Sequence, residues 1–589
     1  IASAKKSVFI AGWQINWDAE LKPGVRLIDA LKAALDNNPA VKIYVMPWMS
    51  PKVGLNTGDL GTMLAVFQLN AGRPAMRAFC CPAGLQNDFD GVENTFFSHH
   101  QKQVVIDNEL AFVGGLDLAY GRRDDASFSL QHGWRKGPEV YSSCVPPQHA
   151  LAPDELTQYV SESDLLTTTL SAGWLAETAQ AGQSTSRWAA DTPIGKLADG
   201  AWRWWNEPMP DWLTKPIDEI AQTLKPLLQD AQTMATMQVI KKLRDGSLTP
   251  QDVTAVLSKV SAVMKGSYVA LLGLAWATRK PNAELFKPGA QAAPLSGAVL
   301  RADQPRQPWQ DVHCSIEGPA TYDLAMNFIR RWNSLQHSYL PAGLRGRVSI
   351  PAELIPKEPF YNAKGPGTAS VRVLRSAPLQ LQKQEKAAMP QLPAPTAEQT
   401  DIHDMMVAVI RGAEQFVYIE NQFFQSAFGV PSIDPDSEDG RKAHSRAINY
   451  LMGQAGNSIK AALTMVGHNP QGDKLPENLI CKALGERIEQ AIRWGMPFHA
   501  YIVLPVHPEG QLNDIAIVGQ IHWTMQSLIY GSHSLVNRVR CALAAKQACK
   551  NHINEAQWGQ ALEDARQGVL TERPYEQIGP DQWAPYLTL

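Results

Sequence analysis

The amino-acid sequence predicts an α/β fold of two related lobes, each a mixed sheet flanked by helices, with a mainly helical insertion. Three observations lead to this prediction. Strands and helices alternate through the first part of the chain, an apolar hairpin follows them, and the same order of elements recurs late in the chain. Repetition on this scale predicts two lobes related by a pseudo-twofold axis.

Hydrophobic spacing locates the elements of the first lobe. They are a strand at 8–11, a helix at 24–35, a strand at 41–46, a helix at 60–69, a strand at 75–79 and the apolar runs 103–106 and 110–113. The last two runs flank the turn pair Asp107-Asn108 and end at Gly114-Gly115, so they predict a hairpin.

Length and composition limit the classes of protein to which this chain can belong. The 589 residues are enough for two or more domains, and 44% hydrophobic with 19% charged residues is ordinary for a globular protein. A net charge of −3 counts against a dedicated nucleic-acid binder. Seven scattered cysteines do not resemble a disulfide framework. No apolar run approaches the roughly eighteen residues of a spanning helix. The chain starts inside a domain, so a targeting segment could lie upstream.

Three side chains of the predicted hairpin suit phosphoryl chemistry. His100 and Lys102 are two residues apart, so in a strand they project to the same face. Imidazole can act as a nucleophile or a general acid near neutral pH, and lysine is a point charge suited to phosphate oxygens. A carboxylate such as Asp107 could orient the imidazole. These groups predict a reaction that requires no metal or other cofactor.

The pattern H-x-K-x4-D from His100 to Asp107, followed by Gly-Gly-Leu-Asp117, resembles the HKD signature of the phospholipase D superfamily. This resemblance implies a covalent phosphohistidine, with His100 as the nucleophile, although the role of acid is also open to it. Lys102 would hold nonbridging oxygens and Asp107 would orient His100. The alternative is a surface hairpin that carries a stray histidine and lysine.

Two other segments resemble the same family. Ile419-Glu-Asn-Gln is similar to its I-E-N-Q motif, and the segment from Trp309 to His313 is similar to its W-H-D-V-H motif, with Gln310 in place of the first histidine. The alternatives are a polar turn and a core histidine. The supporting residues implied by these motifs are Gly115, Asp117, His313, Glu420, Asn421 and Gln422.

The late copy of the element order predicts the second lobe. Residues 413–419 match 4–10 in register, and 501–505 match 43–47. A helical run over 515–550 and a strand over 585–589 complete the copy. Phospholipases D build one site from two HKD motifs, yet His100 begins the single H-x-K of the sequence. The second lobe therefore looks truncated before its own motif, which a separate chain or fragment could supply; a degenerate second lobe is the alternative.

The predicted domains follow from these matches. They are a first lobe at 1–125, a mainly helical insertion at 126–303, completion of the first lobe at 304–375, a linker at 376–400 and the second lobe at 401–589. The insertion contains the tryptophans of 202–205, which suit either a membrane interface or a small core.

The long insertion, the G-G-L-D-L-A-Y-x-R-x-D continuation through Asp124 and the segments around Trp309 and Glu420 resemble bacterial phospholipase D effectors, including those of type VI secretion. This resemblance implies hydrolysis of phosphatidylethanolamine-type lipids to phosphatidic acid and head group, peripheral contact with a bilayer, an immunity protein as partner, and action at the target-cell membrane or periplasm after secretion. No nucleic-acid partner is expected. The alternatives are another HKD phosphodiesterase, such as a nuclease or a cardiolipin-synthase-type transferase, and an inactive half-site that only binds. Without a second motif, this fragment alone is expected to be inactive.

Overall fold

A computed structural model describes residues 1–48, 59–83, 99–135, 306–340, 369–429, 478–505, 523–549 and 554–571, with short pieces at 139, 345–346, 348–351, 354, 367 and 520–521. The described residues belong to two units. The first unit contains those up to Val373 and Pro378–Ala397, and the second contains Leu374–Ala377 and those from Glu398 onward.

The described part of the first unit is an α/β arrangement. Its elements are β1 (Ser7–Gly12), β2 (Glu20–Lys22), β3 (Val25–Arg26), α1 (Leu27–Asn37), β4 (Lys42–Pro47), α2 (Asp59–Gln68), β5 (Ala78–Cys80), β6 (Lys102–Ile106), β7 (Leu110–Gly114), β8 (His313–Glu317), α3 (Ala320–Tyr339) and α4 (Leu379–Ala388). Each predicted strand and helix of the first lobe is present, with ends shifted by a few residues.

Six of these strands form one mixed sheet in the order β5-β4-β1-β6-β7-β8. The strands β5, β4 and β1 are parallel, whereas β6, β7 and β8 are each antiparallel to the strand before them in that order. The predicted hairpin is therefore β6–β7, and it lies directly beside the central strand β1. This arrangement confirms the predicted fold class of a mixed sheet with flanking helices.

Aromatic packing covers one face of this sheet. Every residue of β1 is buried, as its uninterrupted apolar sequence predicts for a central strand. Phe9 of β1 stacks on Phe328 of α3 with ring centroids 5.1 Å apart, and Tyr44 of β4 meets Trp332 edge-on at 5.2 Å. The helix α3 can do this because its apolar residues recur at helical spacing.

The described part of the second unit is also built from strands and helices. Its elements are β9 (Ser376–Ala377), β10 (Gln399–Thr400), α5 (Asp401–Gly412), β11 (Phe416–Glu420), α6 (Ile480–Trp494), β12 (His499–Val503), a π-helical turn (Gln526–Tyr530), α7 (Leu535–Cys549) and α8 (Glu555–Thr571). The strands β11 and β12 pair in parallel. Alternate residues such as Val417, Ile419 and Ile502 pack against the core formed by α5 and α6.

Three details of the chain beyond residue 376 differ from the sequence prediction. The helical run predicted over 515–550 contains a π turn, closed by a Gly531 N–H···O bond to Gln526, and α7 begins only at Leu535. The linker predicted over 376–400 contains the helix α4. Tyr501 pairs with Tyr418 as Tyr44 pairs with Phe9, so the match between 501–505 and 43–47 is displaced by one residue.

Two predictions concern residues outside the described ranges. Most of the insertion predicted over 126–303, including its tryptophans at 202–205, falls there, as does the strand predicted over 585–589. Among the helices that the structure does describe, none combines the length and the apolar character needed to cross a bilayer.

Candidate active site

The pairing of three strands brings His100 and Lys102 close to Gly114 and His313 at one end of the first unit's sheet. Lys102, the first residue of β6, lies opposite Gly114 at the end of β7, and Gly114 lies opposite His313 at the start of β8. His100 immediately precedes β6. This is the end at which the parallel strands β1 and β4 finish, where ligand sites of α/β sheets commonly lie.

Lys102 is the central contact of this cluster. Its Nζ lies 3.1 Å from Nδ1 of His100 and 3.4 Å from Oδ2 of Asp117. The other carboxylate oxygen of Asp117 accepts the Trp13 backbone N–H at 2.9 Å, so the carboxylate is held in place. Burial lowers the pKa of Lys102 and raises the pKa of Asp117 to about 6, while the attraction between the two groups opposes both shifts.

His100 is exposed at the surface on one side, and its ring lies 5.6 Å from the ring of Trp13 on another. Desolvation, together with the nearby charges of Lys102 and Arg122, lowers the pKa of His100 to about 4. The imidazole is therefore neutral at pH 7 and keeps a lone pair for nucleophilic attack. If Lys102 donates to Nδ1, the ring hydrogen is on Nε2 in this state.

The pair Gly114-Gly115 lets the β8 region approach the site. A Cβ atom on Gly114 would lie 2.7 Å from Nδ1 of His313, and one on Gly115 would overlap the carboxylate of Asp311. Nδ1 of His313 accepts the Leu116 backbone N–H at 3.3 Å. The role implied for Gly115 and His313 as supporting residues stays a prediction; Gly115 follows β7, and His313 pairs with the last residue of that strand.

Asp107 does not contact His100, and the expected role of orienting the imidazole is wrong for this structure. It follows the far end of β6, about 16 Å from Lys102 at the rise of an extended strand. Its carboxylate accepts the backbone N–H groups of Lys5, Lys6 and Ser7 at 2.6–3.0 Å. Asp107 therefore fixes the start of β1 against the hairpin turn, where its own φ is +57°.

Trp13 contacts His100 and Lys102, and the charge of Arg122 acts on His100, although sequence reasoning gave neither residue a role. Trp13 follows the buried strand β1, and the Lys102 ammonium lies 5.9 Å from its ring. Arg122 stacks on Trp309 at 3.6 Å and donates to Oε1 of Gln14 at 3.1 Å. A polar or aromatic residue directly after a parallel strand was the available signal, since such positions face the site end of the sheet.

Comparison with known proteins decides the family. A family model for phospholipase D matches residues 1–153 and 291–548, well over half of the chain. The chain belongs to the phospholipase D family. The phospholipase D1 of Cricetulus griseus is 24% identical over 565 residues, which are 91% of this chain and 44% of that protein. Phospholipases D alpha 2 and alpha 3 of Arabidopsis thaliana are 27% and 28% identical over 246 and 249 residues, each 40% of this chain and 25% of the relative. The chain thus spans less than half the length of these relatives.

Three of the residues implied by the phospholipase D motifs lie in the second unit. Glu420 ends β11 and accepts the hydroxyl of Tyr418 at 2.9 Å, while the Asn421 N–H donates to the Val503 carbonyl at 3.1 Å. Gln422 follows directly. These residues come together at the end of a parallel strand, as their sequence position predicts, and their role in the reaction stays a prediction.

Proposed function

We propose that this chain supplies one half of the catalytic site of a phospholipase D that hydrolyses glycerophospholipids, of the phosphatidylethanolamine type, to phosphatidic acid and free head group. The observation that carries the proposal is the buried Lys102 ammonium, 3.1 Å from His100 and 3.4 Å from Asp117. It places a fixed positive charge beside a neutral imidazole, which is what attack on a phosphodiester requires.

In the proposed reaction, His100 attacks phosphorus and forms a P–N bond while the P–O bond to the head-group alcohol breaks. Lys102 stabilises the negative charge on the nonbridging oxygens. To attack through Nε2, the imidazole must carry its hydrogen on Nδ1 instead. Engagement of Lys102 by the phosphate would draw its ammonium away from Nδ1 and so permit that tautomer. Water then cleaves the P–N bond and releases phosphatidic acid.

The departing alcohol needs a proton, and we propose that a second H-x-K motif, on polypeptide outside these 589 residues, donates it. An open face of the second unit supports this proposal. Phe416, Tyr418, Tyr501 and Val503 of β11 and β12 are 44–59% exposed, although they are apolar or aromatic. The matching face of β1 and β4 is covered by α3, and the edge of β1 pairs with the HKD strand β6. A hairpin and a helix like β6–β7 and α3 would pair with the edge of β11 and cover the exposed face of β11 and β12.

The wider setting of the proposal rests on the resemblance of the HKD and I-E-N-Q segments to bacterial effectors. In that setting the enzyme is secreted, degrades the membrane of a target cell and is neutralised in its producer by an immunity protein. The proposed reaction needs neither a metal ion nor an organic cofactor, because the attacking atom and the positive charge that holds the phosphate both belong to side chains.

The test is head-group release from phosphatidylethanolamine vesicles, measured as ethanolamine and phosphatidic acid by mass spectrometry, with plasmid nicking assayed in parallel. The intact mass of the active preparation is determined together with the sequence of any co-purifying polypeptide. We expect lipid hydrolysis only when a chain with a second H-x-K accompanies the 64.7 kDa species. Nicking without lipid hydrolysis would favour a nuclease, and full activity of the 64.7 kDa species alone would contradict the half-site.

A further inference from the structure

Three large apolar side chains are exposed on the loop of residues 125–134, which follows the catalytic hairpin. Phe128 is 40% exposed, Leu130 is 59% exposed and Trp134 is 40% exposed. Single exposed apolar residues need no explanation, but three on one ten-residue loop leave a patch that a soluble surface rarely keeps without a partner.

The 125–134 loop is held in a fixed shape rather than collapsed onto the sheet. Arg306 donates from Nη1 to the Ser129 carbonyl at 2.7 Å and from its backbone N–H to the Leu130 carbonyl at 2.9 Å. Asp124, at the base of the loop, accepts hydrogen bonds from Arg306 and Arg135. These contacts therefore hold in place the loop backbone that carries the exposed apolar side chains.

Phe128 has a backbone φ of +43°, a conformation that bulky residues rarely adopt. Its N–H donates to the Asp125 carbonyl at 3.1 Å, which closes a turn and directs the exposed ring outward. Strain of this kind persists only where the surrounding contacts over-determine it, and it concentrates at sites of binding or catalysis.

The charges around the loop suit an anionic surface. The ring of Trp134 lies between two guanidinium groups, with Cζ of Arg123 at 4.2 Å from its centroid and Cζ of Arg135 at 4.6 Å. Arg122, Arg135 and Arg306 are at most 5% exposed, so the partly exposed Arg123 is the guanidinium that can meet a lipid phosphate. The four arginines exceed the two carboxylates of Asp124 and Asp125, so the region keeps a net positive charge. Tryptophan beside arginine is typical of the lipid head-group layer, where the ring is half apolar and the guanidinium meets phosphate.

We propose that the 125–134 loop docks this protein on an anionic lipid surface, with Phe128, Leu130 and Trp134 entering the boundary between head groups and acyl chains. The inference deepens the proposed function, because it names the surface through which a phospholipase would reach its substrate. It is separate from the tryptophans of 202–205, which lie outside the described residues. Arg122, just before the loop, bonds to Gln14 next to Trp13, so docking would bring lipid phosphates near His100.

The test is co-sedimentation of the full 589-residue chain with vesicles of phosphatidylcholine and phosphatidylserine, using His100→Ala protein so that no lipid is turned over. We expect Phe128→Gln, Leu130→Gln and Trp134→Gln combined to lower the partition coefficient about a hundredfold, since each half-buried apolar side chain contributes roughly fivefold. Vesicles of phosphatidylcholine alone should bind the parent protein about fivefold less tightly, because Arg123 loses its anionic partners.

A matched control exists on α5, where Ile402, Met406 and Val409 are 40%, 43% and 62% exposed. Their combined replacement by glutamine removes a similar exposed apolar surface and should leave vesicle binding within about twofold of the parent. Leu130→Gln alone, the most exposed of the loop side chains, should still lose about fivefold and guards against misfolding of the triple variant.

Three results would overturn the docking surface: a loop variant that binds like its parent, a control that loses as much as the loop variant, or a parent that does not sediment with vesicles. The last result would also follow if the loop instead served a protein partner. Because binding is measured without turnover, none of these results bears on head-group release, which tests the proposed function by itself.

Discussion

Each unit contains a pair of neighbouring parallel strands, β1 with β4 in the first unit and β11 with β12 in the second. One face of this pair is covered in the first unit and exposed in the second. In the first unit, Phe9 and Tyr44 lie opposite each other on β1 and β4, and α3 covers both, so that Tyr44 is 1% exposed. In the second unit, Tyr418 and Tyr501 occupy the corresponding register on β11 and β12, and they are 55% and 50% exposed.

The difference shows that strand sequence alone does not decide whether a face is buried. Both faces carry a pair of aromatic side chains at matching positions of the two strands, which suits a packed layer. Burial in the first unit depends on a helix that follows the HKD hairpin by some two hundred residues of sequence. His100 and Lys102, the side chains to which we assign the proposed chemistry, both belong to the first unit.

The largest expected effect concerns that assignment of the chemistry. His100→Ala should reduce head-group release by about a thousandfold or more, because no phosphohistidine can then form at this position. His337→Ala, at a half-buried histidine in the last turn of α3, is the control and should retain activity within about twofold. Comparable losses in both variants would contradict the assignment of the chemistry to His100.

Removing an aromatic ring from the covered face should lower the free energy of unfolding by several kcal/mol more than removing one from the open face. Tyr44→Ala removes a fully buried ring that contacts Phe9, Phe79 and Trp332, and should lower the free energy of unfolding by about 3–5 kcal/mol. Tyr501→Ala, at the same register in the second unit, should change it by less than about 1 kcal/mol. Urea unfolding followed by circular dichroism measures both, and equal losses would mean that the second face is also covered in solution.

Asp107 gives a sharper test within the first unit. Asp107→Ala removes an acceptor of backbone N–H groups from Lys5, Lys6 and Ser7 and should destabilise the protein by about 2–4 kcal/mol. Because Asp107 does not touch His100, the pH dependence of head-group release should keep its shape. A shifted pH profile at unchanged stability would restore the catalytic role that the motif implied.

The smallest expected effect is a change in the pKa of His100. The pKa of His100 is about 4 when folded and 6.5 in its ordinary state, so its contribution to stability is complete above pH 6.5 and is lost as the pH falls through 4. Lys102→Met removes one cause of the depression and should raise the pKa, as measured by NMR of labelled histidine. An unchanged pKa of His100 in this variant would show that burial alone sets its value.

Much of the first unit could be predicted from local sequence. Every strand and helix of the first lobe appears close to its predicted bounds, because hydrophobic spacing reflects which residues face a core. The contact between His100 and Lys102 could also be predicted, since residues two apart on a strand share a face. Errors appear where a register or a helix end depends on packing, as at Tyr501 and at the π turn before Gly531.

The sequence by itself determined the family, the α/β class and the pair of His100 with Lys102, because motif and periodicity are short-range properties of a chain. Only the tertiary structure decided that Asp107 holds the start of β1, and that Asp117 rather than Asp107 pairs with Lys102. It also decided which aromatic face is covered. The contacts of Asp107 and the covered face of β1 depend on partners a hundred or more residues away along the chain, and local spacing does not determine which distant segment packs there.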